Sequence, residues 1–326
     1  MENLIEVKNL KTYYSLPSGF FSKKIITVKA VDDISFVIPK GKTVGLVGES
    51  GCGKTTVGKS ILRLIPATSG KILYKGEDIL EKTETEMRTL CQKMQIFFQD
   101  PYGSLNPRMT VEEIVGEPLI IHKLYSNRKE RYKRVLSMMN TVGLGSWHMK
   151  KYPHEFSGGQ RQRIGIARAL ILNPDLVIAD EPVSAIDVSI QAQIINLLLD
   201  LSEELKLTYL FISHDLRIIQ YVSDYVIVMY LGKIMEISEA SSLYKKPLHP
   251  YTQSLLASIP IPDPEYKKVR KILEGDIPSP IDIPDGCRFY SRCPEKEELC
   301  KIKEPELKEM ETGHFAACHH ASTFIP

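Results

Sequence analysis

Apolar and polar positions along this chain follow two patterns. From Leu4 to about Ile38 they alternate, the period-two pattern of half-buried antiparallel strands. Beyond that, short and mainly apolar runs take over: Val44–Val47, Met94–Phe98, Leu176–Ala179 and Thr208–Ser213. Runs this short are strands of a buried core, and together they predict a parallel sheet with both faces covered. Helical spacing appears between them. Thr55 to about Leu64 puts Val57, Ile61 and Leu64 on one face, and Ser157 is a natural N-cap for a helix reaching about Leu172, with Ile164, Ala167 and Ile171 in register. Ser189 to Leu205 aligns Ile190, Ile194, Leu197, Leu198, Leu201 and Leu205. Tyr225 to Ile237 reads as a hairpin turning near Leu231-Gly232. A helix-rich insert, roughly residues 84–160, interrupts the α/β core, and prolines from Pro260 to Pro284 mark an extended, helix-poor tail.

Four of the predicted strands end in chemistry. Gly48-Glu49-Ser50-Gly51-Cys52-Gly53-Lys54-Thr55-Thr56 follows the first buried run and opens a helix. That is the strand–loop–helix setting in which a glycine-rich loop turns backbone N–H groups toward phosphate oxygens. Lys54 is expected to reach the β- and γ-phosphates and Thr55 to hold Mg²⁺ through its hydroxyl. Cys52 occupies a variable position of the loop. The second run ends at Asp180-Glu181, with Pro182 closing it. Open α/β sheets place ligands at such strand ends. Asp180 is therefore assigned to Mg²⁺ and Glu181 to the attacking water as general base. The third ends at His214, expected beside the γ-phosphate. Gln99, closing the Met94–Phe98 run, is expected to contact Mg²⁺ or the lytic water as a neutral sensor.

Ser157-Gly158-Gly159-Gln160 opens its helix on two glycines, which weaken a first helical turn but allow backbone N–H groups to approach an anion closely. The Lys54 loop already encloses one side of a nucleotide, so this second anion site is expected to face the nucleotide of a partner subunit. Asp187 is expected to cap the following helix and to lie near the subunit contact.

These motifs, in this order, resemble the ATP-binding subunit of ATP-binding-cassette transporters. The Lys54 loop resembles Walker A, Asp180-Glu181 Walker B, Gln99 the Q-loop, Ser157 to Gln160 the signature, Ser184 to Asp187 the D-loop and His214 the switch histidine. The implied fold is an α/β P-loop NTPase with an antiparallel β subdomain and a helical insert. The resemblance also implies an aromatic stacked on adenine, with Tyr14 the choice and Tyr13 the reserve. Phe98 to Arg108, Asp180 to Gln193 and Pro247-Leu248-His249-Pro250-Tyr251-Thr252 are similar to the dipeptide and oligopeptide importers, and Ser-Gly-Gly-Gln-Arg-Gln-Arg to their F-type subunit. That branch implies ATP-driven peptide import, with nickel, glutathione or a soluble non-transport role as alternatives. It implies a second ATPase subunit, a heterodimer before a homodimer. It also implies two transmembrane permeases, an extracellular binding protein acting indirectly, and a peripheral position on the cytoplasmic face of the membrane.

Composition sets the remaining bounds. With 326 residues the chain has room for one large domain, expected over residues 1–255, and a C-terminal extension over 256–326. A net charge of +2 argues against polyanion binding, so the basic stretch Asn127 to Arg134 is read as a solvated helix face and no nucleic-acid partner is expected. Apolar runs are too short to span a bilayer, and no signal peptide is expected from the start Met1-Glu2-Asn3. Four of the six cysteines, Cys287, Cys293, Cys300 and Cys318, fall near the end. Four thiolates are the donor set of a tetrahedral metal or an iron–sulfur cluster, and the absence of Cys-x-x-Cys weakens zinc. Gly286 to Pro294 resembles the importer extension, some members of which carry a 4Fe–4S cluster there. The cluster is the first expectation, Zn²⁺ and free thiols the alternatives, with His314, His319 and His320 as substitute ligands.

Overall fold

The computed structural model describes residues 2–17, 25–97, 103–184, 186–259, 278–279, 281 and 283–321. The strands among them are β1 (Asn3–Pro17), β2 (Ile25–Pro39), β3 (Thr43–Val47), β4 (Ser69–Tyr74), β5 (Glu77–Asp78), β6 (Met94–Phe97), β7 (Leu176–Asp180), β8 (Thr208–Ser213), β9 (Tyr225–Tyr230), β10 (Lys233–Glu239), β11 (Lys308–Glu311) and β12 (His314–Ala316). The helices are α1 (Lys54–Ile61), α2 (Glu84–Leu90), α3 (Val111–Ile121), α4 (Arg128–Thr141), α5 (Gly158–Leu170), α6 (Val188–Leu205), α7 (Leu216–Val222), α8 (Ala240–Lys245), α9 (Pro250–Ala257) and α10 (Glu298–Ile302). They divide between two compact units.

One unit comprises residues 1–4, 39–42 and 81–212. Its strands β6, β7 and β8 pair in parallel, Met94 opposite Leu176 and Leu176 opposite Thr208. Every residue of β7 and β8 is buried, as expected of strands covered on both faces. The insert supplies α2 to α5. Helices α2 and α3 begin with capping boxes, Thr83 with Glu86 and Thr110 with Glu113, in which hydroxyl and carboxylate exchange hydrogen bonds with each other's backbone N–H. The basic stretch forms α4, which buries only Val135, Met138 and Met139. Its Arg134 guanidinium donates to the Ile171 carbonyl at 3.2 Å.

The other unit comprises residues 5–38, 43–80 and 213–326. Alternation from Leu4 to Ile38 becomes the long strands β1 and β2, in a sheet ordered β2-β1-β4-β5 with β1 and β4 antiparallel. A second sheet contains β3 parallel to β9 and β9 antiparallel to β10. The hairpin turn is Leu231-Gly232, both residues at positive φ (44° and 79°), which matches the right-handed twist of the flanking strands.

The proline-marked stretch from Pro260 to Pro284 lies largely outside the described residues, and the chain beyond it forms short elements. Residues 308–316 form the hairpin β11–β12, and β12 pairs antiparallel with β10, Glu236 opposite Ala316. What holds it there is a carboxylate. Glu236 is 0% exposed, and its oxygens accept the backbone N–H groups of Leu248 at 2.7 Å and His249 at 3.0 Å. His314 Nε2 lies 2.7 Å from the same carboxylate. A buried acid with three partners is satisfied; with any removed it would carry much of its desolvation penalty.

His249 is itself buried, and its Nδ1 accepts the Tyr251 N–H at 3.0 Å to cap α9. Burial pulls its pKa from 6.5 down to about 4, against the pull of the neighbouring Glu236 carboxylate. Between those values the unfolded chain takes up a proton that the native chain refuses. Stability is therefore full above pH 6.5 and falls by about 3 kcal/mol as pH drops toward 4. Urea unfolding across that window should show this decline in the parent and a flatter one in His249→Asn, whose amide oxygen keeps the cap.

Candidate functional site: a phosphate-type loop and an acidic strand end

Strand β3 is buried throughout, and its first residue is tied down on both sides: Thr43 N–H donates to the Asp224 carboxylate and Asp224 N–H to the Thr43 carbonyl, each at 2.9 Å. The chain leaves β3 at Gly48, where φ is +151° and a Cβ would stand 2.1 Å from the Met229 carbonyl oxygen. Only glycine fits there. Gly51, Cys52 and Gly53 complete the turn and α1 starts at Lys54. Lys54 is 5% exposed, and its ammonium donates to the carbonyls of Gly48 at 2.7 Å and Glu49 at 3.0 Å. The loop thus encircles a buried positive charge at a helix N-terminus, which is the electrostatic setting for an anion. Burial pushes the Cys52 thiol pKa up despite the nearby ammonium, so it stays protonated.

Ser50, Thr55 and Thr56 lie in the same loop and first helical turn. Helix α1 buries Val57 and Ile61 as predicted, but it ends at Ile61, and Leu64 is 55% exposed rather than on the packed face. Tyr13 and Tyr14 sit near the end of β1, both half-buried. The Tyr13 hydroxyl donates to Asp32, and Lys29 lies 5.9 Å over its ring, so that side chain is already occupied. His214 follows β8 and is exposed.

In the other unit, Asp180 ends β7, 4% exposed and opposite Ile212 of β8. Glu181 leaves the strand in the left-handed region, φ 47°, rather than continuing its alternation. Its N–H donates to the Ile212 carbonyl at 2.9 Å, and its own carbonyl accepts the Ser184 hydroxyl at 3.2 Å. A glutamate held in that conformation by its neighbours aims its side chain away from the line of the strand, a form of strain that concentrates at functional sites. Ser157 is the N-cap of α5 in a full capping box with Gln160: Gln160 N–H donates to Ser157 Oγ and Ser157 N–H to Gln160 Oε1 at 3.1 Å. Ser157 is exposed and Gly158 half-exposed, whereas Gly159 is buried, where a Cβ would meet Ile190 of α6 at 2.3 Å. Packing between two helices therefore accounts for Gly159, a reason the sequence reading missed. Asp187 stands at the N-cap position of α6, but its side chain makes no capping bond; the Gln191 amide donates to the Ile186 carbonyl instead. Gln99 lies outside the described residues.

Two arginines of the tail reach the loop's unit, which sequence reasoning did not anticipate. Arg288 is 3% exposed and pairs with Asp32, and it also donates to the Leu231 carbonyl at 2.7 Å. Arg292 forks onto Glu49 of the loop, at 2.7 and 3.0 Å. The only hint in the sequence was two arginines beside cysteines. Cys287 and Cys300 are buried and Cys293 and Cys318 half-buried. Desolvation, with mutual repulsion among the four adding to it, pushes the thiols of Cys287 up to about 12 and Cys318 up to about 11. The four thus share one neighbourhood. Among the described residues, however, no three Cys, His, Asp or Glu side chains converge as ligands, so the expected cluster or zinc site is not formed by the side chains as they stand.

Residues 31–184 match the family model for the ABC transporter, and residues 235–300 match that for the oligopeptide/dipeptide transporter, C-terminal region. The oligopeptide transport ATP-binding protein AppF of Bacillus subtilis (strain 168) is 52% identical over 98% of this chain and 97% of its own length. The chain belongs to the ABC transporter ATP-binding family. Its similarity extends to a putative peptide import ATP-binding protein of Brucella ovis, 51% identical over 97% of both chains. Among solved structures, the ATP-binding cassette MJ0796, a dimer in a post-hydrolysis state bound to ADP and Pi, aligns with a TM-score of 0.63 and 28% identity over 72% of this chain and 98% of that one. The chain is thus an ATP-hydrolysing component of a transporter complex, and no helix among its described residues is long and apolar enough to cross a membrane.

Gly48→Ala sets a methyl group against the Met229 carbonyl. It should cost about 3 kcal/mol in urea unfolding and remove nucleotide binding in an equilibrium titration.

Proposed function

We propose that this chain powers the import of short peptides by ATP hydrolysis at an interface shared with a second ATPase subunit. The observation that carries the peptide reading is the C-terminal region. The segment Pro247 to Thr252, matched to the oligopeptide/dipeptide transporter region, is built into the buried Glu236 network rather than appended as a free tail. AppF and its relatives, named for oligopeptide transport, align through that segment.

Lys54, with the N–H groups of the Gly48–Thr56 loop, holds the β- and γ-phosphates. Tyr14 takes the adenine, supported by the prior engagement of Tyr13 with Asp32. The Thr55 hydroxyl, the Asp180 carboxylate and the Gln99 amide oxygen are the groups we assign to Mg²⁺, hard oxygens of the type that ion takes, and Asp180 is a buried strand-end carboxylate. The metal's contribution is to neutralise phosphate charge. Glu181, turned off the strand by its left-handed backbone, takes the proton of the attacking water, and His214 stabilises developing charge. Ser157, Gly158 and Gln160 present their exposed helix start to the nucleotide of the partner, with Gly159 keeping that turn close to α6. Val188, 80% exposed beside Asp187, supports placing the D-loop at the same contact. Closure is passed through the Gln99–Arg108 segment to two permease subunits at the cytoplasmic face of the membrane.

The four cysteines are the proposed home of a 4Fe–4S cluster, with zinc as the alternative; the support is that Cys287 N–H donates to the Cys300 carbonyl at 2.7 Å and that His320 contacts the sulfurs of both Cys300 and Cys318. Anaerobically purified protein should carry about four irons per chain together with acid-labile sulfide. Protein with neither iron nor zinc would leave free thiols.

Glu181→Gln should retain ATP, stall hydrolysis by at least about 100-fold, and accumulate the closed dimer in size-exclusion chromatography with ATP. Normal turnover in that variant would remove Glu181 as the base. Ser157→Arg should leave ATP binding to the single subunit unaffected and abolish ATPase activity of the pair.

A further inference from the structure

Glu49 is the only acid within the phosphate loop, and its position calls for a physical reason. A carboxylate there repels the phosphates that the loop is shaped to receive. In water and salt this repulsion is small, but beside a buried ammonium and a low-dielectric wall it is not. The side chain is held by Arg292, 243 residues farther along. The contact is fork to fork, Nη1 to one carboxylate oxygen at 2.7 Å and Nη2 to the other at 3.0 Å, with Arg292 7% exposed and Glu49 21% exposed. Bidentate pairing of this kind is the strongest a carboxylate makes with a side chain.

The rest of Glu49 is fixed as well. Its N–H donates to the Tyr251 hydroxyl at 3.0 Å, and its carbonyl accepts from Lys54 at 3.0 Å. Arg292 is positioned in turn: its guanidinium lies 5.9 Å from the centre of the Tyr230 ring and donates to that residue's hydroxyl at 3.4 Å. The short turn that carries it is anchored by Phe289, 0% exposed and packed against the rings of Tyr230, Tyr251 and His249.

We propose that Arg292 is a positioning residue for nucleotide binding: by pairing with Glu49 it cancels the loop's one negative charge and fixes the loop backbone, so the C-terminal extension sets the affinity of the site for ATP. This rests on the reading of the Gly48–Thr56 loop as the nucleotide site. The contribution is electrostatic and therefore tied to Glu49, which separates it from general support of the fold.

The test is equilibrium binding of MgATP to the full chain, by displacement of a fluorescent ATP analogue, for the parent and five variants, with circular dichroism to follow folding. Arg292→Ala should bind about ten-fold more weakly, and its deficit should shrink with added salt as the uncovered carboxylate is screened. Glu49→Gln in that background should restore affinity to within about two-fold of the parent, because the charge that needed cancelling is gone. Arg292→Lys, which keeps the charge and loses the fork, should fall between parent and Arg292→Ala. If Arg292→Ala does not fold, Arg292→Lys with and without Glu49→Gln carries the same comparison. Parent-like binding by the Arg292 variant, or a double variant as weak as the single one, overturns the proposal. Lys54→Ala should abolish binding; if it does not, the reading of the loop fails, and the two failures are thereby distinguished.

Discussion

A single buried carboxylate holds the C-terminal part of this protein in place. Glu236 is an acid enclosed on an inner strand, a placement that costs several kcal/mol unless every oxygen is matched. Here the partners come from two separate stretches of chain: the N–H groups of Leu248 and His249 before α9, and His314 in β12. Its enclosure therefore requires that both stretches be present at once. The same arrangement sets Tyr251 under the phosphate loop, where its hydroxyl accepts from Glu49. From one acid on β10 the hydrogen bonds run through His249 and Tyr251 to the Gly48–Thr56 loop.

Much of this was legible in the sequence, for reasons that differ by element. The strands β3, β7 and β8 announce themselves because burial on both faces leaves an unbroken apolar run. The N-cap at Ser157 was visible from its residue type and place before an apolar helical run, and the structure adds Gln160 as its reciprocal partner. Leu64 misled because its spacing fits a helix that in fact ends one turn earlier, leaving the side chain in solvent. Gly159 misled in another way. A glycine placed for close packing of α5 on α6 looks in sequence the same as a glycine placed for a ligand.

The long-range contacts were not legible at all. Nothing local distinguishes Arg288 and Arg292 from solvated arginines, and their acidic partners, Asp32 and Glu49, lie more than 240 residues away. Likewise β11 is charged and β12 only three residues long, too little to read as sheet strands; β12 becomes one by pairing with β10, and β11 by pairing with β12. The left-handed backbone of Glu181 belongs to the same class, being imposed by Ile212 and Ser184 rather than by its own preference.

That late hairpin also changes what the molecule exposes to its neighbours. Without β12, the outer side of β10 would be an open row of donors and acceptors, the form through which sheets stick to one another. With it, the border of the sheet is Lys308 to Glu311, three charged residues and one methionine. Among its other effects, the C-terminal appendage works as a gatekeeper against self-association, so a chain cut short after α9 would lose the Arg292 grip on Glu49 and be more prone to precipitate as well.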